Sequence, residues 1–228
     1  IAGNLIGTLD EPLVNAHISA LNACIQGIVS SSGVNIIENN VIDGLILDST
    51  AQTSFSTTTG AAINGILAYS GSGGQIIRNN EVRHLFQRSA ATTQTSQING
   101  ICYASSGFTT IENNIIHSLF SRSTNTSTTT GAALNGINFA SSGRAIVTGN
   151  YIDSLVLLPA TISSNQVNGM VIFGSAGNRV ANNTIKTLFN SFTTSNPGIC
   201  GIQYSSSIAN IACEGNTIFG LVNRHVAS

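Results

Sequence analysis

An eleven-residue motif recurs along the chain at an interval that decides the architecture before any single residue is interpreted. It reads IIENNVIDGLI at 36–46 and returns as IIRNNEVRHLF (76–86), TIENNIIHSLF (110–120), IVTGNYIDSLV (146–156), RVANNTIKTLF (179–189) and ACEGNTIFGLV (212–222). A truncated copy, GNLIGTLD, stands near the start. Aligned on the second asparagine, the copies give one column, Asn4, Asn40, Asn80, Asn114, Asn150, Asn183 and Asn216, spaced 36, 40, 34, 36, 33 and 33 residues apart. A unit of this length cannot bury its own apolar side, so neighbouring copies must cover one another.

Apolar columns flank the asparagine. Two residues beyond it run Ile6, Ile42, Val82, Ile116, Ile152, Ile185 and Ile218; five beyond it, a leucine stands in every copy from Leu9 to Leu221. Upstream a glycine recurs as Gly27, Gly65, Gly100, Gly136, Gly169 and Gly201, usually after an asparagine, with aliphatic residues two before and one after. Inward positions three apart break the two-residue alternation of a strand, so the chain bends at the glycine, where no Cβ obstructs it. A second bend falls at the asparagine, and Ser-Ser-Gly clusters mark the turn between them. The expectation is an all-β fold of three-strand coils, about six to seven of them, stacked as a parallel β-helix over residues 1–228. The repeats fall at about 1–26, 27–64, 65–99, 100–135, 136–168, 169–200 and 201–228. A helical repeat conflicts with Gly and Asn inside each apolar motif, and a propeller with the absence of tryptophan.

Stacking gives the asparagine column a structural role: a carboxamide at a bend satisfies turn backbone groups while bonding the same side chain one coil away. Charges read the same way. Glu38, Arg78 and Glu112 alternate in one column, while Asp43 opposes Arg83 and Asp153 opposes Lys186 in another, which penalises slippage by a coil.

Length varies at one corner only. From glycine to the next asparagine the count stays between 13 and 15, whereas from asparagine to the next glycine it ranges from 18 to 25. That corner carries uncharged Thr/Ser-rich tracts, and Thr57, Thr58, Thr59, Thr128, Thr129 and Thr130 are the candidate surface-contact residues. Two readings compete for these loops: solvated sites that tolerate changes of length, or functional sites, whether contacts for a neutral, hydroxyl-rich partner such as a glycan or cell-surface ligand or attachment points for glycans; an ice-binding array would need loops of constant length.

Only 7% of residues are charged, with eight Lys plus Arg against nine Asp plus Glu, which excludes the cationic field that nucleic acid or an anionic membrane requires. No apolar run is long enough for a membrane helix. The acidic residues form no catalytic pair, Asp43 and Asp153 lying about 14 Å apart by strand spacing. His84 and His117 fall in adjacent coils but different columns, His17 and His225 lie outside the motif, and Cys24, Cys102, Cys200 and Cys213 show no zinc spacing. Pairing among the cysteines stays open. The expectation is therefore no catalytic residue, no cofactor and no metal.

The unit NG-I-x-[YF]-[AS]-S-S-G, followed by I-x-N-N-x-I-x-x-L-F and a Ser/Thr tract, resembles the right-handed parallel β-helix repeats of large secreted, adhesin-like surface proteins of Bacteroidetes-type bacteria. The resemblance covers residues 1–222. It implies a right-handed coil, export to the cell surface, an extended stalk or filament, and adhesion. The combined expectation is a non-enzymatic extracellular segment cut from a longer chain and able to continue or self-associate end to end. A polysaccharide lyase or hydrolase, or a glycan-binding module, is the alternative on the same scaffold.

Overall fold

A computed structural model describes residues 1–15, 24–48, 61–69, 73–88, 97–122, 133–160, 166–174, 177–192, 198–204 and 210–225. Within these residues there is no helix, and every strand pairing is parallel. The chain winds as a right-handed β-solenoid whose three sheets hold eight, six and six strands. The two six-stranded sheets are six coils deep, so about five full turns separate the first strand from the last.

One coil illustrates all of them. Thr109–Glu112 belongs to the short-strand sheet, Ile115–Ser121 to the long-strand sheet and Ala133–Phe139 to a third, here called the glycine sheet. In the short strand, buried Thr109 and Ile111 alternate with half-buried Thr110 and Glu112, the two-residue period of a pleat with one covered face. At the corner that follows, the residue before the ladder asparagine is left-handed: Asn39, Asn79, Asn113 and Asn182 have φ of 54–56°, and glycine stands there in three other coils. Asparagine and glycine are the residues that enter this region at least cost.

The long strand bends once more in its middle. Ile116 and Leu119 both point inward although three residues apart, because Ser118 between them is left-handed at φ 58°. The same column holds Gly44, His84, Ser154, Thr187 and Gly220, all at positive φ.

The register is continuous. Ile42, Val82, Ile116, Ile152, Ile185 and Ile218 pair in sequence up one row, and Leu45, Leu85, Leu119, Leu155, Leu188 and Leu221 up the next. Interior members are fully buried, each worth roughly 1.5–3 kcal/mol before chain entropy is counted. Tyr103 and Phe139 stack within the core at 5.2 Å and 4°, the Tyr103 hydroxyl donating to the Gly107 carbonyl. The C-terminal coil is open: Ile218 and Leu221 are 42% and 37% exposed, while Ile185 and Leu188 one coil earlier are sealed.

Candidate functional site

The asparagine column forms a continuous amide ladder. In each step from Asn4 to Asn216, the backbone N–H and the Nδ2 of one asparagine both donate to Oδ1 of the asparagine one coil later, at 2.8–3.1 Å. The second amide hydrogen returns to a carbonyl of the preceding coil: Asn80 to Ile37, Asn114 to Ile77, Asn150 to Ile111. Each internal carboxamide is thereby used on both sides, which is why Asn40, Asn80 and Asn114 can be buried without penalty.

A second amide file runs up the outer side of the glycine sheet. Asn64 Nδ2 donates to Gln26 Oε1, Asn99 to Asn64, Asn135 to Asn99 and Asn168 to Asn135, at 2.7–2.9 Å. It runs in the opposite sense, each amide donating toward the earlier coil, and it ends where Cys200 pairs with Asn168 and brings no amide. These asparagines precede the structural glycines, whose own role is spatial. A Cβ on Gly100 would lie 2.5 Å from Ile116 Cγ2 and 2.7 Å from the Gly136 carbonyl oxygen, and Gly27, Gly65, Gly136 and Gly169 repeat that conflict with Ile42, Val82, Ile152 and Ile185. Gly201 meets Ile218 likewise.

The long-strand sheet carries one set of charged residues, and the short-strand sheet carries another in Glu38, Arg78, Arg179 and Glu214. Asp43, only 3% exposed, accepts from Arg83 Nε at 2.9 Å and lies 2.7 Å from His84 Nδ1. Burial raises its carboxyl, but the bonds from His84 and Arg83 outweigh that and hold its pKa below the ordinary value. Arg83 also reaches Glu81 at 2.7 Å, and His117 bridges Glu81 Oε1 and Ser118 Oγ at 3.3 and 3.0 Å. Two coils beyond Arg83 stands Asp153, and Lys186 of the following coil lies 3.3 Å from it. Against burial, bonds from Thr187, Ser154, Lys186 and Tyr151 lower the Asp153 carboxyl too.

These contacts match the column pairing of Asp43 with Arg83, Asp153 with Lys186 and Glu38 with Arg78, the last at 2.7 Å. His84 and His117, though in different columns, come together in a T-shaped contact with ring centroids 5.9 Å apart. The bend at His84 swings its ring out of its own row; the signal was the glycine at the equivalent Gly44 and Gly220. Among the described residues no three His, Cys, Asp or Glu side chains converge on a metal position, and the four cysteines are free thiols. Burial pushes the Cys102 thiol up to about 12, so it is an inert apolar filler. Thr57, Thr58, Thr59, Thr128, Thr129, Thr130 and His17 lie outside the described residues.

The described surface includes two grooves that bear on function. One, of about 420 Å³, follows the left-handed corner between Asn39, Asn79 and Asn113 and the outward residues Val41, Glu81 and Ile115. The other, of about 150 Å³, lies on the glycine sheet where the second amide file ends. The geometry therefore offers amide-lined grooves, the one on the glycine sheet without a charged side chain, and cross-coil ion pairs.

The fold defines the chain as a parallel β-solenoid. Compared with known proteins, it matches no family, no curated protein and no solved structure.

Proposed function

We propose that this chain is a non-enzymatic structural segment of an extracellular surface protein or filament, of the adhesin-like type its repeats resemble. The observation that carries this reading is the unbroken register of the amide ladder and the apolar rows over the described coils, since a stack that repeats one pairing spans distance at about 4.8 Å per coil. Engagement of Glu38, Asp43, Glu81, Asp153 and Glu214 with cations supports it further, because a paired carboxylate is poorly placed for acid or base work.

The partner proposed for the C-terminal face is another coil of the same pattern, supplied by continuation of the chain or by a second copy. Asn216 carries the two donors that every earlier ladder asparagine places on the next oxygen, and Ile218 and Leu221 present the matching apolar rows. Such a head-to-tail contact is open and builds filaments.

Solution scattering and sedimentation test the reading. A rod-shaped particle that lengthens with concentration is expected, and Ile218→Asp with Leu221→Asp should hold it at one copy. Release of reducing ends or unsaturated products from a polysaccharide panel would overturn the non-enzymatic assignment.

A further inference from the structure

The smaller groove has features that the spacer role does not require. Its polar lining consists of Gln97, Asn135, Asn138, Gln166, Asn168 and Gln203, six carboxamides from four successive coils, with no charged side chain among the lining residues. Phe173, 38% exposed, and Val171 supply its apolar wall.

Asn138 is the informative member. It pairs with Cys102 on one side and Val171 on the other, in a row whose earlier members Leu67 and Cys102 are buried and apolar. A hydrophobic side chain would continue that row, yet the position holds a carboxamide, 7% exposed, whose Oδ1 has no hydrogen-bond partner. Buried polar groups in folded proteins are almost always satisfied, and a rotation of this side chain would bring its unmet acceptor from beneath the surface to whatever enters the groove that the residue lines. Beside it the second amide file stops at Asn168, because Cys200 offers no further amide.

We propose that this groove binds one ring of a neutral polysaccharide or glycan. A hydroxyl is both donor and acceptor, and so is a carboxamide, so six amides suit a polyhydroxylated ring better than an ion of either sign. Phe173 and Val171 receive its C–H face. At about 150 Å³ the groove is roughly half the lower limit for drug-sized ligands, which fits a single ring and weak binding that repetition along a rod would strengthen. The inference goes beyond the spacer reading, which survives if the groove proves empty.

Amide NMR titrations of the intact chain with neutral gluco-, galacto-, manno- and N-acetylhexosamine oligosaccharides test it, with oligogalacturonate and a Gly/Ser peptide as contrasting probes. At least one neutral series should shift resonances of Asn135, Asn138, Asn168 and Phe173. Phe173→Ala and Asn138→Leu should each weaken that binding at least ten-fold without lowering the melting temperature, while Asn79→Ala in the corner groove should not change it. If Asn138→Leu does not fold, Phe173→Ala decides. No shift at these residues with any neutral series, shifts unaffected by Phe173→Ala, or preference for the acidic oligomer or the peptide would overturn the assignment.

Discussion

The two amide files differ in what else their oxygens do. In the corner ladder each internal Oδ1 accepts a backbone N–H as well as a side-chain amide, so the asparagine is part of how the main chain closes its turn. In the file on the glycine sheet each step is one side-chain bond, from Nδ2 to the earlier oxygen. The consequence is visible in the residues: the corner keeps asparagine in all seven copies, while the second file begins with Gln26 and gives way to Cys200. A file tied into the backbone tolerates no substitute, whereas one made only of side chains can stop and leave amides over for other uses.

The largest expected effect separates the two. Asn114→Ala strands both donors of Asn80 and the oxygen of Asn150 loses the Asn114 side-chain donor, all in buried surroundings, and should cost about 3–4 kcal/mol. Asn99→Ala removes one bond on each side and should cost about 2 kcal/mol. Urea denaturation with unchanged m-values measures the difference; equal costs would mean that the backbone bond is not what distinguishes the files.

Gly100→Ala acts on the core side of the sheet that carries the second file. Its Cβ meets Ile116 and the Gly136 carbonyl, an overpacking that should cost about 1–3 kcal/mol. Trimming the side chain in Ile116→Ala should recover only part of this in a double-mutant cycle, because the carbonyl remains in the way. Full recovery would make side-chain crowding the sole reason for glycine.

Much of this could be read from the chain because stacking converts sequence columns into spatial rows. The isoleucine and leucine rows, the corner ladder and the pairing of Asp43 with Arg83 all follow from position relative to one asparagine. What escaped was whatever depends on backbone sign. The inward residues Ile116 and Leu119 are three apart, the same irregular step that marks the glycine bend, but serine, histidine and threonine between them hid a left-handed residue that Gly44 and Gly220 reveal. Asn64, Asn99, Asn135 and Asn168 were visible as neighbours of the glycines, but only the structure joins them into a second file. The groove at its end depends on which outward residues are buried, and no column of letters contains that.

Acid should probe the charged face separately from both amide files. The folded pKa values of Asp43 and Asp153 lie below the unfolded carboxylate value, so near pH 4 the unfolded chain binds more protons and stability rises with pH. Their contribution is present above about pH 4 and lost as pH falls through the folded values. Asp43→Asn should therefore flatten the fall in melting temperature below about pH 4, and an unchanged slope would assign acid sensitivity to other carboxyls.

The smallest effect concerns the left-handed column itself. Thr187 is β-branched and stands at φ 54°, a conformation that costs an L-residue about 1–2 kcal/mol. Thr187→Gly removes that strain, but it also removes the hydroxyl that bonds Asp153 and gives the unfolded chain more freedom, each worth roughly 0.5–1 kcal/mol. The terms nearly cancel, and thermal denaturation should register a change within about 0.5 kcal/mol. His84→Gly relieves similar strain at φ 53° while leaving the nearly inaccessible Asp43 without its second partner, so it should destabilise by about 1–2 kcal/mol. If both substitutions stabilise equally, backbone strain outweighs the side-chain bonds along this column; if only His84→Gly is costly, this bend, like the amide files, is held by what its side chains do for neighbouring coils.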